Sequence, residues 1–314
     1  MAINNGTTVD INGVTTTTLN AGQSYAFLAP MGTLVETAAP VVMNSNQAVD
    51  RPGGCSDGVS DQMAPELVQG TAYFVVRGQG NSTAEQTTVI ATQPNTTLPI
   101  QTYNLAGTLL ATTPVTITNA GQFYTFINGD GATAYSASRV LANKKVSVYS
   151  GTAQGSAVDE TTISPVSPCA GSLFVETAKF RSYAGGDLTY YGYVLLRSGT
   201  SIVNVTIGGT QTNLITFAGA RRQLGTTGWY LIDFNETQIS KPAVILLTST
   251  NKMTVCLIQQ GFGFSMSAVF SNFTEIPDAP TFAYASGGGC ANNSANLSTP
   301  SGFAPFQWYL NGFP

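Results

Sequence analysis

The chain has 314 residues, of which 43% are apolar and 9% charged; the net charge is −4 and histidine is absent. Without histidine, Ser-His-Asp and Cys-His catalysis and histidine-ligated metals are excluded. With 12 lysines and arginines in the whole chain, a nucleic-acid-binding protein is excluded as well. No apolar run is long enough for a membrane span, and Met1–Gly6 does not begin a signal peptide. The composition is typical of extracellular proteins, so we interpret the sequence as part of a longer chain.

Apolar and polar residues alternate with a period of two along most of the sequence, whereas a helical period is rare. Turns rich in Asn and Gly separate the alternating segments. This pattern predicts an all-β protein of antiparallel sheets. The predicted strands, in chain order, are Thr7–Ile11, Ser24–Leu28, Ala72–Arg77, Thr87–Thr92, Phe123–Ile127, Lys145–Ser150, Tyr191–Leu196, Ile202–Ile207, Trp229–Phe234, Ala243–Ser249 and Met253–Gln259.

An internal repeat groups these strands. Leu19–Phe27 and Thr118–Phe126 are identical at six of nine positions, and a weaker third copy combines Val203–Ile207 with Gly228–Ile232. We expect Gly22 and Gly121, at the same place in two copies, to adopt positive φ in a sharp turn. Each copy closes with an apolar strand after a polar turn, at Ala39–Val42, Asn143–Val148 and Asn251–Val255.

The repeat predicts tandem antiparallel β-sandwich-type modules, with propeller-like blades as the alternative. We divide the chain into a partial first repeat at 1–50, a second repeat at 51–155 and a third at 156–275. A linker and a truncated immunoglobulin-like domain follow at 276–314. The last assignment depends on Cys290 and Trp308, whose spacing is that of the B and C strands of such a domain.

The remaining cysteines are Cys55, Cys169 and Cys256, and none belongs to a CxxC pair, so zinc has no support. Cys256 lies in an apolar strand and is predicted to be a small buried side chain. Cys55 and Cys169 each follow the closing strand of a repeat. We therefore predict that at least one of them forms a disulfide, with the other as the favoured partner.

Several segments, taken in order, resemble the IgGFc-binding-type N-terminal region of secreted and surface proteins. They are Gly54-Cys55, Asp61–Pro65, Gln69–Val76, Glu85–Thr97, Ala120–Tyr124 and Lys144–Gly151. The resemblance covers residues 7 to 273. Bacterial members of this type are similar to gliding-motility-associated adhesins, which are exported by type 9 secretion and carry immunoglobulin-like repeats. The resemblance implies an extracellular cell-surface scaffold, but it transfers no IgG-binding site, because no residue here matches a mapped Fc contact.

Aromatic residues are the first candidates for ligand contact. Tyr190, Tyr191 and Tyr193 alternate along one predicted strand, so we expect at least one face of it to be exposed to a glycan or a protein. Asn128 and Asp130, in an Asn-Gly-Asp-Gly sequence, are candidates for calcium, with an ordinary hairpin turn as the alternative. We predict no other cofactor.

The carboxylates show no paired spacing of the kind that a glycosidase requires, so we predict that the chain is not an enzyme. The predicted function is an extracellular adhesin segment, which serves as a binding or stalk module for surface glycans or proteins. A structural subunit of an extracellular filament, sheath or virion is the alternative, and a carbohydrate-active hydrolase is a remote one. The expected partners are surface glycans or proteins and a larger parent chain or filament, without nucleic acid and without a membrane span.

Overall fold

The computed structural model describes residues 1–49, 57–79, 83–154, 157–167, 170–177, 188–239, 244–261, 264–271, 281–284 and 295–298. Within these ranges the fold is all-β, and every paired strand is antiparallel to its neighbour. Two one-turn 3₁₀ helices, Glu66–Val68 and Leu214–Thr216, connect strands. No helix in the described ranges has the length and apolar character needed to cross a membrane.

Three of the four cysteines fall outside the described ranges. They are Cys55, Cys169 and Cys290, and Trp308 lies outside as well. The disulfide and the immunoglobulin-like spacing therefore stay predictions. Cys256, which the structure describes, is a buried free thiol, and this prediction is confirmed.

The first module is a small sheet followed by a hairpin. Its strands are β1 (Thr7–Ile11), β2 (Val14–Leu19), β3 (Val35–Thr37), β4 (Asn44–Val49) and β5 (Asp57–Gln62). In the sheet β1 lies between β2 and β3, and β4 pairs with β5. The β4–β5 pairing joins residues on both sides of the predicted boundary between 50 and 51.

The second module is organised by one long strand. Its strands are β6 (Gly70–Val76), β7 (Gln86–Ala91), β8 (Thr96–Thr97), β9 (Ile100–Tyr103), β10 (Leu109–Thr113), β11 (Thr116–Ile117), β12 (Phe123–Ile127), β13 (Ala137–Gln154) and β14 (Ala157–Thr162). The first half of β13 pairs with β6 and β9, and its second half pairs with β7 and β14. Because the two halves of β13 pair with different groups of antiparallel strands, the arrangement is consistent with a module of the β-sandwich type. The predicted boundary between 155 and 156 cuts its β13–β14 hairpin.

The third module repeats this arrangement. Its strands are β15 (Ser172–Thr177), β16 (Thr189–Leu196), β17 (Val203–Ile207), β18 (Thr210–Asn213), β19 (Arg222–Gln223), β20 (Tyr230–Asn235), β21 (Ile245–Gly261) and β22 (Phe264–Phe270). The long strand is β21, which pairs with β15 and β17 along its first half and with β16 and β22 along its second half. The two last predicted strands are therefore parts of one bent strand. A further hairpin joins β23 (Thr281–Tyr284) to β24 (Ala295–Ser298).

The register of pairing identifies equivalent residues in the three modules. One set of paired residues is Ile11–Val35, Ile100–Val140 and Val205–Leu247. A second set of pairs lies at a constant distance from the first set. In each module, the residue nine positions before the first member pairs with the residue six positions after the second member. These pairs are Ala2–Val41, Ala91–Val146 and Leu196–Met253. The same spacing in all three confirms that the sequence repeat is one strand arrangement, of which the first module contains a part.

The glycine turns match in the same way. Gly22 and Gly121 have φ of 80° and 78°, as predicted. The Gly22 N–H donates to the Ala2 carbonyl at 2.9 Å, and the Gly121 N–H donates to the Ala91 carbonyl at 2.8 Å. Each turn thus lies beside Ala2 or beside Ala91, the last residue of β7.

Three module cores and one shared core bury apolar residues in the described ranges. The small core of the first module contains Ala2, Val9 and Leu19. The core of the second module contains Val89, Val140 and Val146, and that of the third contains Val194 and Leu247, all nearly inaccessible. Burial of such side chains contributes about 1.5–3 kcal/mol each. The shared core lies between the two modules, and its residues include Phe74, Val76, Tyr103 and Tyr135 from the second and Tyr191, Tyr193, Leu195 and Ile258 from the third.

Candidate binding surface

A described concavity is an apolar groove between the first and second modules. Its volume is about 540 Å³. One wall is formed by the first module, including Tyr25, Phe27 and Met43, and the other by the outer face of the second, including Ile90 and Tyr149. We call it the N-terminal groove. Ligand sites are commonly apolar concavities of this size.

The chemistry of the N-terminal groove favours apolar contacts over catalysis. Tyr25 and Phe27 stack with ring centroids 5.9 Å apart, and Leu28 beside them is fully exposed. Among the described lining residues, Glu160 is the one carboxylate. A hydrolytic pair of carboxyl groups is therefore not present in the described wall of the groove.

The sequence predicts a strand at Ser24–Leu28, and this prediction is wrong. These residues follow the Gly22 turn as Phe123–Ile127 follow the Gly121 turn, but no described strand pairs with them. In the second module the same stretch, β12, pairs with β7 over five residues. Residues 24–28 have the alternating pattern of a strand, but a strand also needs a neighbouring strand with which to pair.

The outer edge of β12 is a second apolar surface. Phe123 is 51% exposed, Ile127 is 44% exposed and Tyr124 is 37% exposed. In the described sheet β12 is the last strand, so its outer edge pairs with no other described strand. Its counterpart in the third module, β20, carries the short strand β19 on this side.

The predicted contact tyrosines are buried, so the expectation that one face of their strand is exposed is wrong. Tyr190, Tyr191 and Tyr193 are 1%, 1% and 6% exposed. The prediction of opposite faces was right: Tyr190 points into the third module's core, and the other two point into the shared core. The face with Tyr191 and Tyr193 is not exposed to solvent, because the second module covers it.

Hydrogen bonds fix two of these tyrosines in place. The Tyr191 hydroxyl accepts from the Gln79 N–H at 2.8 Å and donates to Gln260 Oε1 at 2.8 Å. The Tyr190 hydroxyl donates to the carbonyl of Ile239. Burial raises the pKa of both phenols well above the usual value, so they stay neutral. These residues stabilise the packing of the modules.

The two candidates for calcium serve the protein itself. The Asn128 side chain is buried; its Oδ1 accepts from the Thr87 hydroxyl at 2.5 Å, and its Nδ2 donates to Ser150 Oγ at 3.1 Å. Asp130 Oδ1 accepts from the N–H groups of Ala132 and Thr133 at 3.0 and 2.6 Å. This is the geometry of a turn. Among the described residues, no group of three acidic or cysteine side chains is arranged to hold a metal.

A buried ion pair near this turn was not found from the sequence. Arg77 and Glu85, at the ends of β6 and β7, are 1% and 0% exposed, with 3.7 Å between Nη1 and Oε2. Arg77 also donates to the Asn128 carbonyl at 3.4 Å. The sequence does contain a signal for this pair, because both residues are charged and lie beside apolar strands in a chain with few charges. The pair links the two strands at the shared core.

One of three comparisons with known proteins found a match. A model of the IgGFc binding protein family matches residues 1–308. The chain belongs to the IgGFc binding protein family. No curated protein and no solved structure matches it. The IgGFc-binding match covers all three modules and extends past the 7–273 range of the resemblance seen in the sequence.

Proposed function

We propose that the chain is a non-enzymatic binding module of an extracellular, cell-surface adhesin, and that its ligand is a protein. Membership of the IgGFc binding protein family supports a binding role, and the family description names a protein ligand. The described groove and strand edge support the same view, because they offer apolar side chains and unpaired backbone rather than paired acid and base groups.

The observation that carries the proposal is the open edge of β12. Unpaired N–H and C=O groups on an apolar edge strand pair readily with an extended segment of another chain. The third module demonstrates the geometry, because β19 pairs with β20 through Arg222–Leu231 and Gln223–Tyr230. We infer that an extended segment of the protein ligand pairs with β12 in the same way and covers Phe123 and Tyr124.

Charge substitution on β12 tests this proposal. Phe123→Lys should weaken binding by about tenfold or more, because a lysine on the edge opposes strand addition. Leu67→Lys is the matched control, since Leu67 is an equally exposed apolar residue of a 3₁₀ helix away from the edge. The probes are an immobilised IgG Fc fragment and a glycan array, measured by surface plasmon resonance and fluorescence.

Each outcome of this experiment decides between the functions. Protein binding that Phe123→Lys weakens and Leu67→Lys leaves unchanged supports the proposal. Binding to glycans alone, or equal effects of the two variants, contradicts it. Steady hydrolysis of a polysaccharide by the purified chain would show instead that it is an enzyme.

A filament, sheath or virion subunit is the second candidate, because an open strand edge also suits pairing between copies of one protein. Concentration-dependent polymers that Phe123→Lys abolishes would favour it, and a monodisperse monomer would favour the adhesin. Export by type 9 secretion, a role in gliding motility and an immunoglobulin-like domain after residue 276 belong to the adhesin proposal.

A further inference from the structure

Among the described residues, no strand takes the place of β6 or β7 in the first module. In the second module β7 ends at Ala91, whose N–H donates to the Gln122 carbonyl at 3.0 Å. Ala2 holds the same place in the first module, with its N–H donating to the Gln23 carbonyl at 2.9 Å. Met1 likewise corresponds to Ile90. It exchanges hydrogen bonds of 2.8 and 2.9 Å with Val42, as expected for the counterpart of the Ile90–Ser147 pair.

In the second module β6 and β7 complete the core. Tyr73, Val75 and Val89 project from them into it, and each is at most 1% exposed. The residues that they cover include Val140 and Val148, which are also at most 1% exposed. Without these two strands the core would be open to solvent on one side.

The first module shows this opening. Val35 and Met43, the counterparts of Val140 and Val148, are half-buried rather than buried, and both line the N-terminal groove. Leu28, the counterpart of Ile127, is fully exposed. The groove is therefore the open side of a module that has the common register but, in the part of the chain that the structure describes, no strands in the places of β6 and β7.

The outer wall of the groove continues an interface seen elsewhere in the chain. Between the second and third modules, Phe74 and Val76 of β6 pack in the shared core with Tyr193 and Leu195. By register, Thr88 and Ile90 of the second module are the counterparts of Tyr193 and Leu195. They form the groove wall facing the first module, where the outer side of a β6 counterpart would lie.

We propose that the N-terminal groove is an acceptor site for a β-hairpin of the β6–β7 type, with the hairpin's second strand joined in line to Met1. That strand runs antiparallel between residues 23–28 and residues 41–46, as β7 runs between β12 and β13. Its apolar side chains, and those of the first strand, cover Val35 and Met43. The proposal goes beyond the binding function, because it concerns the groove and not the edge of β12.

The experiment adds the missing hairpin to the protein. Since Met1 and Ala2 occupy the places of Ile90 and Ala91, a second copy of residues 70–89 is fused directly before Met1. Hydrogen–deuterium exchange is then measured in the full chain. We expect the amides of residues 24–28 to exchange about tenfold more slowly or better, because they gain strand partners. Fluorescence of the apolar dye ANS should fall as the groove closes.

The matched control is the same extension with Val75→Asp and Val89→Asp in the added copy only. It has the same length and joins the same residue, but it cannot cover an apolar core. Slower exchange with the unchanged extension alone supports the proposal. Equal exchange for the two extensions, or no change for either, overturns it.

Two further measurements identify the occupant. A free peptide of residues 70–89, added to the unextended chain, should not reproduce the protection; if it does, the in-line arrangement is wrong. Dimerisation of the unextended chain with protection of residues 24–28 would show that a second copy fills the groove, which also overturns the proposal. If the long extension aggregates, a shorter extension with a copy of residues 86–89 alone is fused before Met1. This single strand is expected to slow the exchange of residues 24–28. If the short extension leaves that exchange unchanged, the proposal of in-line pairing is wrong.

Discussion

Gly32 and Gly121 lie backbone to backbone where the first module meets the turn that begins β12. Both have positive φ, at 86° and 78°. A Cβ on Gly32 would overlap the carbonyl oxygen of Gly121, and a Cβ on Gly121 would lie 2.5 Å from the carbonyl oxygen of Gly32. The contact fixes the groove against the second module, and it admits glycine alone at both positions.

The repeat provides a matched pair of variants for this contact. Gly121→Ala should lower the free energy of unfolding by about 2–4 kcal/mol, since it adds a backbone clash to the strain of positive φ. Gly22→Ala has the same φ but open space around its Cβ, so about 1 kcal/mol is expected. Urea denaturation followed by circular dichroism measures both. Equal losses for the two variants would show that the contact between the modules is unimportant.

The Tyr191 hydroxyl provides a test of the shared core. Tyr191→Phe leaves the Gln79 N–H and Gln260 Oε1 without their partner, so we expect a loss of about 1–3 kcal/mol in unfolding free energy. Tyr124→Phe is the control, because Tyr124 is 37% exposed and the loss of its hydroxyl should stay within about 0.5 kcal/mol. A Tyr191→Phe variant as stable as the parent chain would mean that water replaces the hydroxyl.

Asp159 should destabilise the chain at neutral pH. Its Oδ2 accepts from the Ser267 N–H at 2.6 Å and from the Ser267 hydroxyl at 3.0 Å, yet burial outweighs these bonds and raises the pKa of the carboxyl. A raised folded-state pKa means that stability is highest below the unfolded-state pKa and falls as pH rises through the folded one. Asp159→Asn should match the parent chain near pH 3 and be more stable than the parent chain at pH 7, as measured by urea denaturation at the two pH values.

Asp130 should behave in the opposite way, and it is the internal control for the pH measurement. Burial would raise the pKa of this carboxyl, but hydrogen bonds from Thr133, Ala132 and Ser136 outweigh it and lower the pKa. Its stabilising effect is present above the unfolded-state pKa and is lost as pH falls through the folded one. Asp130→Asn should therefore lower the free energy of unfolding at pH 7 and change it little at pH 3. Parallel pH curves for the Asp130 and Asp159 variants would contradict both assignments.

Much of the fold was predictable from local pattern. Thr7–Ile11 and Phe123–Ile127 were predicted with the bounds that the structure has, because alternation and Asn-Gly turns act over a few residues. The positive φ of Gly22 and Gly121 was predictable for the same reason. The continuity of β21 over residues 245–261 was not predictable, since the polar sequence at Asn251 is typical of a turn between two separate strands.

The candidate surface was not predictable, because it depends on which faces are covered. Alternation placed Tyr190 and Tyr191 on opposite faces of β16, but it carries no information that a second module covers the outer face. In the same way, Ser24–Leu28 has the pattern of a strand without the neighbour that would make it one. Exposure at Phe123 and Leu28 follows from the arrangement of modules, which sequence periodicity does not record.

Cys256 is expected to be chemically inert in the folded chain. The thiol lies in the shared core beside Tyr193, where burial raises its pKa to about 12. At pH 8 its thiolate fraction is then about 10³-fold below that of an unperturbed cysteine. Iodoacetamide should leave the Cys256 peptide unmodified in native protein and alkylate it fully in urea, as read by mass spectrometry of that peptide. Rapid native alkylation would show that the second and third modules separate readily, because a closed shared core admits neither reagent nor water to this sulfur.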